Sequence, residues 1–245
     1  LQPVASAVLD AKIPGWLRDP DGHWFGFTKR ARVIMYAKDR VAPDAIATYE
    51  ALADPAWRGK VLIRSSTNIY NQSLTGAMLA HHGPEATEAW CRGLVANFAR
   101  PPQGGDTDQI KAVAAGEGDL AVANTYYLGR LLRSEKPEDR ALAAGIGIVF
   151  PNQADRGTHV NVSGAGIARH APNPTGAQAF LEYMTGDEAQ FYFADGNNEY
   201  PVVAGVKWPE TMMAFGEFKA DELNARVYAA NNAEALMIMD RAGWR

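Results

Sequence analysis

"RARVIMYAK", residues 30–38, decides which kind of fold this chain can make. It is an almost continuous apolar run, rich in strand formers, and such a run reads as a strand buried on both faces. Working outward, "GKVLIRSS" (59–66), "LAVANT" (120–125), "GIGIVFP" (145–151) and "HVNVSGAGIA" (159–168) read as further strands. Helical stretches lie between them. "APDAIATYEALADPAW" (42–57) is broken by Pro55, and "NQSLTGAMLAHHGP" (71–84) is stopped by Gly83 and Pro84. "PEATEAWCRGLVANF" (84–98) and the centre of "PPQGGDTDQIKAVAAGEGD" (101–119) follow. "YYLGRLLRSE" opens another helix, with Asn124 or Thr125 placed to cap it. Residues 173–198 hold one or two helices, and the tail is helical. Strands alternating with helices predict an α/β fold with largely parallel sheets.

The chain has 245 residues, enough for one large domain or for two lobes with separate cores. With 47% apolar and 21% charged residues it has the composition of a globular protein rather than a disordered one. A net charge of -4 argues against a nucleic-acid binder that relies on a basic field. No apolar run approaches the ~20 residues of a membrane helix. The single cysteine, Cys91, lies in a helical pattern and reads as core packing. The start, "LQPVASAVLDAKIPGWL", shows neither a signal-peptide pattern nor a strand.

In open α/β sheets, ligands gather where strands end and helices begin. Two such junctions carry tyrosine: Tyr70 in "IRSSTNIYNQSL", and Tyr126 with Tyr127 in "VANTYYLGRL". A junction breaks regular geometry, so neighbouring side chains can converge there. Converging phenols beside a highly charged cation ionise to hard anionic oxygens, which suit ferric iron. Calcium and magnesium take carboxylates and carbonyls, and zinc prefers cysteine and histidine. From spacing alone both uses stay open, and half-buried packing is the commoner fate of tyrosine. No paired carboxylates and no nucleophile–base pair stand in a catalytic context. "RPPQGGDTDQ" reads as a turn feeding a helix, not a Walker loop.

"RSSTNIYNQSL", "ANFARPPQGGDTDQIKAVAAGEGD", "ANTYYLGRLL", "FPNQADRGTHVNVSGAGIARHA" and "NNAEALMIMDRAGW" closely resemble the periplasmic ferric iron-binding proteins of ABC importers. The likeness extends over essentially the whole chain. It implies a two-lobed, type II periplasmic binding protein fold, each lobe a sheet flanked by helices. The expected lobes are residues 1–40 with 151–245, an incomplete N-terminal lobe carrying the C-terminal helices, and 41–150, the C-terminal lobe. It also implies that Tyr70, Tyr126 and Tyr127 ligate Fe(III) as the transported ligand. Family members carry an earlier segment, several tens of residues long, that completes the first lobe and supplies a further histidine or tyrosine ligand. No substitute for it is expected here, since His23 aligns after that segment.

Three tyrosinates balance Fe(III), and a fourth ligand of the same kind would leave a negative site that nearby cations offset. Arg130, one turn beyond Tyr126, can share its face, and Arg64 and Arg30 lie in or beside strands leading toward the cleft. Taken singly, each reads more readily as an ordinary solvated surface arginine. The resemblance implies an exported, periplasmic monomer that partners an inner-membrane ABC permease, binds no nucleic acid and is not an enzyme. Its signal peptide is not within these residues. Two alternatives stay open: a binding protein for a small oxyanion or phosphorylated organic ligand, and an α/β hydrolase or transferase.

Overall fold

The computed structural model describes all of residues 1–245. Its strands are β1 (Phe25–Ala37), β2 (Val61–Leu62), β3 (Leu120–Asn124), β4 (Ile146–Val149), β5 (Val160–Ala165) and β6 (Tyr200–Pro201). The helices in the first half are α1 (Ala7–Lys12), α2 (Ile69–Ala96), α3 (Asp106–Ala114), α4 (Thr125–Leu132) and α5 (Pro137–Ala144). The rest are α6 (Pro174–Tyr183), α7 (Asp187–Asn197), α8 (Glu210–Phe215), α9 (Ala225–Ala230) and α10 (Asn232–Arg241). None is long and apolar enough to cross a membrane.

The run around 30–38 is indeed a buried strand, and at 13 residues it is the longest of the six. Side chains alternate across a strand, and here both faces find a core. Ile34 and Tyr36 enter a cluster with Val61, Leu74, Trp90 and Trp244. Val33 and Met35 enter another with Ile110, Ala121, Leu128 and Ile146.

β1 belongs to two sheets. Its first part, Phe25–Ala31, pairs with β5, and Thr28 and Lys29 also meet β6. From Arg32 onward it pairs with β3 on one side and β4 on the other. The strand therefore leaves one sheet between Ala31, opposite Val160, and Arg32, opposite Asn124. The first sheet has its own apolar core, built from Leu9, Leu17, Phe25, Phe27, Leu181 and Val202.

The expectation of largely parallel sheets is corrected. β1 runs antiparallel to β3, β4, β5 and β6, and only β2 and β3 form a parallel pair. The crossover helices do return β2, β3 and β4 in one direction, as the alternation requires. The order is β2-β3-β1-β4, so the long strand lies between β3 and β4 and runs against both.

A second correction concerns 42–57, which holds only short 3₁₀ turns at Glu50–Ala53 and Pro55–Trp57. Asp54, forced extended before Pro55, separates them with ψ 131°. Side chains also take carbonyls there: the Trp90 indole donates to Tyr49 O (2.7 Å) and Asn97 Nδ2 to Leu52 O (2.9 Å). By contrast, α2 breaks where the sequence predicts. Gly83 has φ 75° and ψ 175°, a backbone region open essentially to glycine alone.

Candidate metal centre

Tyr70 is the second residue of α2. Asn68 caps that helix, its side chain accepting from Tyr70 N at 3.2 Å. This cap fixes the exit of the chain from β2 and turns the phenol inward. Tyr126 and Tyr127 are the second and third residues of α4, which starts directly after the fully buried strand β3. The expected side-chain cap at that start is absent, a third correction. Asn124 occupies the cap position, but its Oδ1 accepts from Arg32 Nη1 at 3.3 Å. The Thr125 hydroxyl has no partner.

The structure brings the three phenols of the two junctions together. The oxygens of Tyr70 and Tyr126 lie 3.3 Å apart. The rings of Tyr126 and Tyr127 lie 4.0 Å apart between centroids and are tilted by 31°, so the irregular joint turns neighbouring side chains the same way. Tyr126 is 6% exposed, while Tyr70 and Tyr127 are half-buried. Burial pushes the Tyr126 phenol well above its usual value, and the adjoining phenols of Tyr127 and Tyr70 push it further. Without a cation, Tyr126 is therefore neutral at any physiological pH.

Positive charge surrounds this group. The guanidinium carbons of Arg30, Arg32 and Arg64 lie 5.7, 5.7 and 5.9 Å from the Tyr70 ring centre. Arg130 lies 4.8 Å over the Tyr126 ring. Arg30 donates to Ser163 Oγ at 2.8 Å and stands 3.8 Å from Glu199, and Arg64 stands 3.7 Å from Asp106. The Nε atoms of Arg30, Arg32 and Arg64 are buried without a partner. All three arginines expected from the sequence thus adjoin the phenols, and Arg32 joins them unforeseen. Its signal was present as a single charge inside an apolar strand, since a buried charge demands a partner.

A cavity of about 590 Å³ opens beside Tyr70, lined in part by Arg30, Ser73, Asn161 and Tyr228. Ser73 Oγ organises that wall. It donates to Tyr70 O (3.1 Å), accepts from Asn161 Nδ2 (2.7 Å) and meets His159 Nε2 (3.0 Å). No grouping of three His, Cys, Asp or Glu side chains is arranged to hold a metal. His23 is held by Asp19, with Nδ1 at 2.8 Å from the carboxylate.

Two sheets sharing one strand, with phenols and arginines where that strand changes sheet, define a two-lobed α/β binding protein. Residues 1–216 match the family described as bacterial extracellular solute-binding protein. The chain belongs to that family. It is 54% identical over 244 residues to iron uptake protein A1 of a Synechocystis strain, covering 100% of this chain and 68% of that protein. Among solved structures, a Trichodesmium protein in complex with iron and citrate ligands is similar, with TM-score 0.98 and 57% identity. The match covers 100% of this chain and 78% of that one. A ferric binding protein from Campylobacter jejuni matches with TM-score 0.94 and 40% identity, again over 100% and 78% of the two chains.

Proposed function

We propose that this chain captures ferric iron between its lobes through the phenolates of Tyr70, Tyr126 and Tyr127. It then releases the iron to an ABC permease, with no covalent chemistry. The observation that carries this reading is the 3.3 Å separation of the Tyr70 and Tyr126 oxygens. Adjacent oxygens about 2.1 Å from an octahedral ion stand about 3 Å apart, so a small contraction lets both bind one ion. Three phenolates balance its charge, and the surrounding arginines offset any further anionic ligand. The relatives named for iron uptake and ferric binding point the same way.

In this reading the lobes are residues 1–40 with 151–245, and 41–150, joined where β1 passes from one sheet to the other and by the chain between β4 and β5. Ile238, Met239 and Trp244 share a core with Val61, Leu74 and Trp90, which supports grouping the last helix with the 41–150 lobe in this reading. The phenols then sit on that lobe's wall, where iron binds before the lobes close by hinge motion. The protein works as a monomer in the periplasm.

The four arginines also fit a second reading, in which a small oxyanion binds without metal. Elemental analysis of the purified protein after exposure to ferric nitrilotriacetate separates the two. Iron retained by the parent and lost in Tyr70→Phe supports the phenolate site. Equal retention in both points away from it.

A further inference from the structure

Arg32 and Asp106 are both fully buried, and they bond at 2.6 Å between Nη1 and Oδ2. A buried ion pair is often no more stabilising than apolar groups of the same volume, so stability alone is a poor reason for it. Its location suggests another. Arg32 is the residue at which β1 enters its second sheet. From there one guanidinium reaches three helix starts. Asp106 is the first residue of α3. Nη2 donates to Asn71 Oδ1 (2.7 Å), on the third residue of α2. Nη1 also donates to Asn124 Oδ1 (3.3 Å), on the residue before α4.

The anchored groups brace one another. Asp106 Oδ2 accepts from Asn124 N at 2.8 Å. Asn71 Nδ2 donates to the carbonyls of Arg64 and Ser65 at 2.8 and 3.1 Å. Two of the three anchored starts carry the phenols, since Tyr70 precedes Asn71 and Tyr126 is two residues beyond Asn124.

We propose that Arg32 and Asp106 are positioning residues that hold the starts of α2 and α4 together, fixing the Tyr70–Tyr126 oxygen spacing and fitting the phenols to one small, hard cation. This rests on the phenolate reading. Arg32 touches no cargo itself; it acts through the two helix starts. Its planar fork serves Asn71 and Asp106 at once, which the point charge of lysine does not reproduce.

The test uses the purified protein and two readouts: ferric affinity in competition with nitrilotriacetate, and the energy of the phenolate-to-iron charge-transfer band. Arg32→Lys keeps the charge and loses the fork. It is expected to weaken iron binding about ten- to a hundredfold and to move the band of the loaded protein. A folded Arg32→Lys or Asp106→Asn variant with the parent's affinity and band overturns the proposal. Where these single variants fail to fold, Arg32→Met with Asp106→Leu removes the fully buried pair together, leaving only the part-exposed Arg64 without its acid, and carries the same prediction. Asn71→Ala cuts one arm and leaves both charges paired; it is expected to weaken binding about threefold or more and to move the band. Unchanged affinity and band in either of these last two also overturns it. A purely structural role would lower the melting temperature and leave the band in place. If the parent shows no colour dependent on Tyr126 and Tyr127, the phenolate reading itself fails. If the parent is coloured and the variants match it, only the positioning role fails.

Discussion

Tyr126 is the most enclosed of the three phenols, and under the proposed phenolate reading its enclosure sets the terms on which iron and protons compete. Burial and the adjoining phenols make it hold its proton tightly. Every phenol that ligates iron must release one proton, so binding weakens as pH falls. With three phenols ionising, apparent affinity is expected to change by up to about a thousandfold per pH unit. Competition titrations with nitrilotriacetate between about pH 5 and 7, corrected for protonation of that chelator, measure the slope; a flat profile would exclude phenolate ligation. His159 predicts a separate acid sensitivity, of folding rather than binding. Burial, then the neighbouring charges of Arg32, His81 and Arg156, lower it from 6.5 to about 3. The unfolded chain therefore takes up a proton near pH 6.5 that the native chain refuses until about pH 3. Its contribution is complete above 6.5 and lost as pH falls through that window, with a slope of at most about 1.4 kcal/mol per pH unit. Urea unfolding of the iron-free protein from pH 7 to 4 should show that slope, and His159→Gln should flatten it.

Among the elements, β1 joins fold and site, and it also shows how far the sequence can be read. Its burial on both faces was legible because apolar residues occupy consecutive positions from Val33 to Ala37. Its direction relative to its neighbours was not, because no local pattern records which strand slots between β3 and β4. The tyrosine junctions were visible as polar breaks after apolar strands, and the structure brings them together. Their convergence with Arg30 and Arg64 was suggested only by charge balance and by proximity to strands. Asp106 was hidden, since in "GGDTDQ" it reads as an ordinary first-turn acid and becomes an ion-pair partner only through contact with a strand 74 residues earlier. Local chemistry was equally silent on 42–57, where Trp90 and Asn97 claim carbonyls that a helix would have used. Where glycine alone fits, the sequence spoke clearly. Gly83 has open space around its missing side chain, so backbone strain is the whole cost of replacing it. Gly83→Ala is expected to lower stability by about 1–3 kcal/mol, measurable by urea unfolding, with iron affinity in the folded variant unchanged.

For the molecule as a whole, a cargo held between two lobes must stabilise the folded state by mass action. At ferric concentrations about a hundredfold above the dissociation constant, the gain is about 2.7 kcal/mol. The melting temperature should therefore rise with ferric nitrilotriacetate and fall back when excess chelator removes the metal. A melting temperature indifferent to iron would contradict specific capture. The same two-lobed design serves many ligands, so identity rests on the phenols at the seam rather than on the architecture. Their signature is optical, because ferric iron bound to phenolate absorbs visible light. The visible spectrum of the ferric-loaded protein, compared with that of a Tyr126→Phe, Tyr127→Phe variant treated identically, tests this most directly. The account predicts a charge-transfer band in the parent that disappears in the variant. A colourless loaded parent, or a band that survives both substitutions, would contradict it.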